Sequence, residues 1–317
     1  MSWSSKVVWS EGLFLRPQHF QQQDRHFEWL IEARTGSTTP FGWGFSKLEI
    51  DENALAMGKV FIQNAAGVMP DGTPFEFPAA HEAPLALEFP PDARDSLVCL
   101  ALPSRRPFST EFAEKGDENP LTRYDILETE LPDSTCASTA SETVRIGQPR
   151  FVLDLESRLP DTYLKLGAIH ITERRPDRTL LPDRCFIPPI LACSLSTPLD
   201  GMLHEIRGLL NQRGEALAGR LTQTGHGGVS EIADFLFLLA INRFQPVFEH
   251  LGKIPLLHPE RLYTEMLKLM GELATLVSGN HRPAELPHYQ HDNLQMCFTP
   301  LMQEIRRALS TILEQNA

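Results

Sequence analysis

At Phe186-Ile187-Pro188-Pro189 the pattern of the sequence changes from one type of structure to another. Consecutive prolines can neither continue a central strand nor enter the interior of a helix. Before them, short apolar runs alternate with proline and glycine, which predicts strands and turns. After them, apolar residues recur at spacings of three and four, which predicts helices. The sequence therefore predicts an α+β chain in which a β-sandwich precedes an α-helical bundle.

The predicted β-sandwich occupies residues 41–187 and the predicted bundle residues 188–317. The clearest candidate strands are Val60-Phe61-Ile62, residues 97–102, Phe151-Val152-Leu153 and residues 166–171. Pro70-Asp71-Gly72-Thr73 predicts a tight turn, because Asp and Gly tolerate the positive φ that such turns require. Residues 103–143 are acidic and contain few β-branched side chains, so we expect an exposed loop with one embedded strand.

Four helices are predicted in the bundle, the third opening at Pro259 and the fourth from about Asn293. In the second helix we assign the buried side to Ile232, Phe235, Leu236, Leu239 and Phe244, and we expect Pro246 to kink or end it. Further apolar residues lie outside the rows that recur at spacings of three and four along the predicted helices: Leu209, Leu221, Phe237, Leu238 and Leu251. Such positions indicate a second buried face, so these five side chains are the predicted oligomer interface.

Residues 1–40 combine large apolar side chains with a polar run. Termini fray unless they are held, so the aromatic side chains here must dock on their own domain or on another protein. Pro17 suits the first turn of a helix, and Phe20, Phe27, Leu30 and Ile31 fall on one face of that helix. The anchors predicted to bind a partner protein are Trp9, Leu13, Phe14 and Phe20.

Composition disfavours several classes of partner. The formal charge of −12, from 41 acidic and 29 basic side chains, works against binding to nucleic acid or to anionic lipid surfaces. No apolar run approaches the roughly 20 residues needed to span a bilayer, which predicts a soluble, cytoplasmic protein without direct membrane insertion. Five cysteines without a Cys-x-x-Cys pair predict reduced, mostly buried thiols.

Two segments contain residue types that are common in catalytic or cofactor sites. One loop holds His281, His288, His291, Asp292 and Cys297, but its spacing lacks the second ligand pair of a zinc site. Gly225-His226-Gly227-Gly228 links two helices and lacks the lysine and hydroxyl residue of a phosphate loop. The chain also contains no recognisable nucleophile signature. We therefore predict no catalytic residue, no metal and no cofactor, hence a scaffold and not an enzyme.

Six segments, taken in order, resemble those of the TssK family, the baseplate adaptors of the bacterial type VI secretion system. The first is Val8-Trp9-Ser10-Glu11-Gly12-Leu13-Phe14-Leu15-Arg16-Pro17-Gln18-His19-Phe20-Gln21-Gln22-Gln23-Asp24. The others are Gly67-Val68-Met69-Pro70-Asp71-Gly72-Thr73-Pro74-Phe75, Phe186-Ile187-Pro188-Pro189-Ile190-Leu191, His258-Pro259-Glu260-Arg261-Leu262-Tyr263, Gly271-Glu272-Leu273-Ala274-Thr275 and Pro287-His288-Tyr289-Gln290-His291-Asp292. Together they span nearly the whole chain, from Val8 to Asp292.

The resemblance implies a structural role at the cytoplasmic, inner-membrane-associated baseplate. In that family the sandwich, or shoulder, is similar to the shoulder of phage receptor-binding proteins and faces TssF and TssG. The bundle, or neck, forms a homotrimer, and a C-terminal head contacts the membrane complex of TssJ, TssL and TssM. We expect this chain, which stops near Ala317, to lack that head. The alternatives are a phage-tail receptor-binding or adaptor protein and a metal-dependent hydrolase that uses the loop from His281 to Cys297.

Overall fold

A computed structural model describes residues 3–114, 116–117, 121–133, 135, 141–223 and 229–310. The chain forms two compact units, Met1–Pro182 and Asp183–Ala317. In the residues that the structure describes, the first unit combines twelve strands with two α-helices and the second is helical, so the protein has a mixed α and β fold. None of the described helices is both long enough and apolar enough to cross a bilayer.

The strands described in the first unit all belong to four sheets. Its helices are α1 (Pro17–Thr38) and α2 (Glu52–Ala56). Its strands are β1 (Gly44–Ile50), β2 (Lys59–Val60), β3 (Ile62–Val68), β4 (Pro74–Phe77), β5 (Leu87–Glu88), β6 (Ser96–Pro103), β7 (Phe112–Glu114), β8 (Tyr124–Pro132), β9 (Ser141–Pro149), β10 (Val152–Leu155), β11 (Tyr163–Arg174) and β12 (Leu180–Pro182). The sheet orders are β1-β3-β4, β10-β6-β11-β12, β2-β5 and β7-β8-β9.

The core of the first unit lies around β6 and a cluster of phenylalanines. The last six residues of β6 are buried, as expected for a strand paired on both sides, here with β10 and β11. The ring of Phe77 in β4 lies 5.0 Å from that of Phe151, and the ring of Phe75 lies 5.8 Å from it. Buried aromatic pairs at such distances add to the apolar area that each ring removes from water. This cluster links the sheet that contains β4 to the start of β10.

Several sequence predictions for this unit are confirmed and two need correction. Residues 97–102 lie in β6, residues 166–171 lie in β11, and Gly72 adopts a φ of 83° in the predicted turn. Val60-Phe61-Ile62 is not one strand, because β2 ends at Val60 and β3 begins at Ile62. Residues 103–143 contain more than one strand: β8 and β9 pair over nine residues as a long antiparallel hairpin, and β7 joins β8 in parallel.

The described part of the second unit contains four α-helices that pack on one another. They are α3 (Thr197–Gln223), α4 (Val229–Leu251), α5 (Pro259–Val277) and α6 (Leu294–Ser310). Helix α3 contacts α4 and α6, and α5 also contacts α4 and α6. The predicted start of α5 at Pro259 is confirmed, and His258 caps it by accepting a hydrogen bond from the Glu260 amide at 3.2 Å.

Helix α4 continues through Pro246 to Leu251, so of the two predicted effects of this proline, a kink or an end, the structure excludes the end. The predicted buried side of α4 is wrong, because four of the five side chains assigned to it are exposed: Ile232, Phe235, Leu236 and Leu239. The structure instead buries Phe237, Ile241 and Phe248, together with the correctly assigned Phe244. Since α4 is apolar on several sides, the spacing of its apolar residues does not identify the face that packs inward.

Candidate protein-binding surface

The segment before α1, residues 3–16, runs back along that helix as an arm. Gln22 donates hydrogen bonds from Nε2 to the carbonyl oxygens of Trp3, at 3.1 Å, and Ser5, at 2.7 Å. The guanidinium carbon of Arg25 lies 4.2 Å from the centre of the Trp3 ring, a cation–π contact. Gly12 has a φ of 80° where the arm turns back, a conformation that glycine adopts without steric cost. These contacts hold the arm against α1.

Helix α1 is fixed to the rest of its unit by polar contacts and not by a buried face. No residue of α1 is buried. Arg105 forms an ion pair with Glu28, and Glu32 packs over Gly72, where an added Cβ would lie 3.2 Å from Glu32 Cγ. Partial burial, and secondly the nearby Asp71 carboxylate, raise the pKa of Glu32. Four apolar side chains of α1 are exposed, Phe20, Phe27, Trp29 and Ile31, and Leu30 is half-buried.

The four predicted partner-binding residues lie in this region and are not buried. Phe14 is 80% exposed, a large fraction for a phenylalanine. Trp9 is 49% exposed and Phe20 53%, and their rings lie 6.4 Å apart. Leu13 is half-buried. The structure thus brings Trp9 and Phe20 together and leaves Phe14 projecting into solvent, although their binding to a partner stays a prediction.

The exposed apolar surface is larger than the predicted set. It also contains Val8, Leu15, Phe27, Trp29 and Ile31. Phe20, Phe27 and Ile31 recur at helical spacing, so they form one stripe along α1. The sequence identified that stripe, but it gave no signal for Trp29, which points away from it. We call the exposed apolar side chains of residues 8–31, apart from Trp29, the arm surface.

The predicted oligomer interface needs correction at two positions. Phe237 and Leu251 are buried inside the helical unit, and the guanidinium of Arg213 lies 4.8 Å from the Phe237 ring centre. Leu209, Leu221 and Leu238 are half-buried. The most exposed apolar face of α4 is instead formed by Ile232, Phe235, Leu236 and Leu239, at spacings of three and four. We call these four side chains the α4 face.

The loop considered for metal binding forms a network of hydrogen bonds. His291 is buried, its Nδ1 lies 2.7 Å from Tyr289 Oη, and its ring stacks on His258 at 5.2 Å. Cys297 Sγ donates to the carbonyl oxygen of His288 at 3.3 Å, and burial raises the pKa of this thiol. Within the described parts of the chain, no three His, Cys, Asp or Glu side chains are grouped to hold a metal ion. The glycine-rich segment 225–228 lies outside the described residues.

Comparison with known proteins places the sequence among bacterial secretion proteins. A family model described as bacterial type VI secretion, VC_A0110, EvfL, ImpJ, VasE matches residues 19–317. The type VI secretion system baseplate component TssK1 of Pseudomonas aeruginosa is 42% identical over 317 residues, which cover 100% of this chain and 71% of that relative.

Solved structures show the same similarity. A crystal structure of TssK superposes with a TM-score of 0.92 at 38% identity, covering 99% of this chain and 71% of that one. A chain of the type VI secretion system baseplate complex superposes with a TM-score of 0.82 at 25% identity, covering 96% and 99%. The TssK-TssF-TssG baseplate subcomplex, solved by cryo-electron microscopy, shares the fold with a TM-score of 0.83 at 24% identity, covering 97% and 99%.

Proposed function

Because this chain belongs to the TssK family of bacterial type VI secretion baseplate components, we propose that it is a non-catalytic, trimeric adaptor that binds the wedge proteins TssF and TssG through the arm surface. The first unit would act as a β-sandwich shoulder and the four helices as a bundle-like neck. The whole protein would link the cytoplasmic baseplate to the membrane complex of TssJ, TssL and TssM.

One observation carries the wedge-binding part of this proposal: a 22-residue helix with no buried residue presents apolar side chains to solvent. Contiguous exposed apolar surface is typical of protein interaction sites. The polar contacts of Arg105 and Glu32 hold α1 in place without covering its apolar stripe. A relative with the same fold is found in a complex with TssF and TssG, which supports the choice of partner.

Substitutions in the arm test the proposed binding. Trp9→Ala and Phe14→Ala should each weaken binding to a purified TssF and TssG complex by about thirtyfold, the effect of losing about 2 kcal/mol at an interface anchor. The binding is measured by titration of labelled wedge complex. Leu85→Ala, which truncates an exposed side chain elsewhere in the first unit, is the control. Unchanged affinity in both arm variants would refute this role.

The α4 face supports the trimer. Its four side chains lie on one side of a helix and are exposed, which is unfavourable unless another surface covers them. Phe235→Asp combined with Leu239→Asp should convert the trimer to monomers, because the two carboxylates would have to be buried in the interface without partners. Light scattering behind gel filtration measures the mass. Leu256→Asp, at an exposed site before α5, should leave the trimer intact.

A trimer of unchanged mass in the Phe235→Asp and Leu239→Asp variant would exclude the α4 face as the interface. A monomer of the unaltered chain at micromolar concentration would remove the trimer from the proposal while leaving wedge binding to be judged by the arm variants.

A further inference from the structure

A groove in the first unit is lined largely by arginine. It lies between the segment that joins β5 to β6 and the turn that joins β11 to β12, and its volume is about 440 Å³. Two prolines, one glutamate and four arginines line it, and the arginines are Arg94, Arg174, Arg175 and Arg178. Since the chain as a whole has a formal charge of −12, this group of cations is an exception to its general charge. We call this site the arginine groove.

The four arginines are not neutralised by ion pairs. None of them forms an ion pair in the part of the chain that the structure describes, whereas Arg105 and Arg150 each have a carboxylate partner. Three of the four are exposed and Arg174 is half-buried. A guanidinium has five N–H donors, so most of the donors in the groove are available to a ligand.

Nearby acidic side chains compensate only part of this charge. Among the described residues that line the groove, Glu173 alone is acidic. The Asp177 carboxylate accepts a hydrogen bond from the Thr179 amide at 3.0 Å, and its hydrogen bonds from Thr179, with a smaller effect of an arginine, lower the pKa of Asp177. Asp95 lies 3.4 Å from Nε2 of His170. Two of the three carboxylates therefore have partners outside the groove.

The two sides of the groove are joined by hydrogen bonds. Arg174 donates from Nη1 to the carbonyl oxygen of Phe89 at 2.8 Å. The Asp95 amide donates to the carbonyl oxygen of Thr172 at 2.9 Å. These bonds fix the segment before β6 against β11. A binding site held in this way needs little reorganisation, which lowers the entropic cost of association.

The turn between β11 and β12 presents two of the arginines. The Arg175 amide donates to Thr179 O at 2.9 Å, and the Arg178 amide donates to Arg175 O at 2.9 Å. Arg178 has a φ of 76°, in the left-handed region that glycine adopts without strain and other residues adopt rarely. Turn geometry alone would favour glycine at this position, so the turn does not explain the arginine, whereas its place in the groove does.

The chemistry of the groove suits carboxylates presented by a protein. Guanidinium groups bind carboxylates through paired, charge-assisted hydrogen bonds, and arginine is enriched at protein interfaces. The negative charge of the whole chain opposes the approach of large polyanions such as nucleic acid or an anionic bilayer. A short acidic segment meets the arginines and little of the remaining surface, so it avoids most of that repulsion.

We propose that the arginine groove binds an acidic, extended segment of a partner protein. Aspartate or glutamate side chains of that segment pair with the exposed guanidinium groups of Arg94, Arg175 and Arg178, while Arg174 holds the groove together through Phe89. The site shares no residue with the arm surface, so it is independent of the wedge-binding proposal.

Two labelled eight-residue peptides test the site on the full chain. One alternates glutamate with serine, and the other alternates glutamine with serine. Fluorescence anisotropy should show about tenfold tighter binding of the glutamate peptide, and its affinity should fall as salt is added, because exposed charges are screened. Equal binding of the two peptides, or no binding of the glutamate peptide at about 1 mM, would overturn the proposal.

Variants separate the groove from the general charge of the chain. Arg175→Gln combined with Arg178→Gly should weaken binding of the glutamate peptide about tenfold and leave the fold intact, because both side chains are exposed and glycine suits the φ of residue 178. Arg261→Gln combined with Arg282→Gln removes the same charge from exposed sites of the helical unit and should leave binding unchanged. Glu173→Gln should strengthen it. Equal weakening by the two double variants, or weaker binding after Glu173→Gln, would contradict the proposal.

Vesicles of equal parts phosphatidylserine and phosphatidylcholine test the other source of anions, a membrane surface. The chain should not sediment with them at physiological salt, because its net charge is negative. Sedimentation that is lost in the Arg175→Gln and Arg178→Gly variant would assign the groove to lipid headgroups and overturn its assignment to a partner protein.

Discussion

Replacing Arg123 by alanine is expected to lower the free energy of unfolding of the first unit by about 3 kcal/mol or more. The Arg123 side chain is 1% exposed and donates to Pro103 O at 2.6 Å, to Asp71 Oδ2 at 2.8 Å and to Thr73 Oγ1 at 2.6 Å. Alanine would leave these three acceptors without their donor, and burying unpaired polar groups is costly. The melting temperature should fall by about 6–12 °C.

The matched control is Arg145→Ala, which also removes one arginine and one ion pair from the same unit. Because Arg145 and Glu114 are both exposed, their pair should contribute less than about 1 kcal/mol. Thermal melts followed by circular dichroism compare the two variants. Equal melting temperatures would contradict the role assigned to Arg123 as the buried link between the end of β6 and the turn that precedes β4.

Replacing Gly67 by alanine is expected to destabilise the first unit by about 3 kcal/mol. Gly67 lies in β3 directly opposite Phe45 of β1. An added Cβ would lie 2.2 Å from Gly44 O and 3.0 Å from Phe45 Cα, both of them backbone atoms of the paired strand. Since backbone cannot turn aside as a side chain can, the two strands would have to separate at this point.

A second glycine-to-alanine change provides the control for this steric effect. Gly36 in α1 has no heavy atom within 4 Å of the position of an added Cβ. Gly36→Ala should therefore be neutral or stabilise the helix by up to about 1 kcal/mol. Urea unfolding of both variants gives the comparison, and an equal effect of the two substitutions would contradict the close approach of β1 to Gly67.

Where the boundary of a helix or turn depends on one or two residues, the sequence predicted it correctly. Pro259 fixes the start of α5 because proline fits the first turn of a helix, and Asp71 with Gly72 fixes the turn before β4. The buried side of α5 was also predictable, since most of its apolar residues lie on one face: Leu262, Met266, Leu269, Met270 and Leu273.

The sequence could not predict features that depend on what packs against an element. Helix α4 has apolar residues on several sides, so only the positions of α3 and α5 decide that Phe237 is buried and Phe235 is exposed. In the hairpin, Leu127 and Leu131 alternate with Glu128 and Glu130, and the acidic residues made the segment resemble a loop. An alternating strand pattern is clear only when one face is known to be covered.

The sequence singled out the aromatic side chains of the arm, and their binding to a partner stays a prediction. Trp9, Phe14 and Phe20 stood out because aromatic side chains near a terminus must be covered. Their exposure in the folded chain was not predictable, because an apolar pattern does not show whether the covering surface belongs to the same chain.

Hydroxyl-radical footprinting of the chain, free and bound to TssF and TssG, tests the central claim most directly because it reports the solvent accessibility of individual side chains. The account predicts that oxidation of Trp9, Phe14 and Phe20 falls several-fold in the complex, while oxidation of the exposed Leu85 and Leu256 stays the same. Formation of the complex with unchanged oxidation of Trp9 and Phe14 would contradict wedge binding through the arm surface.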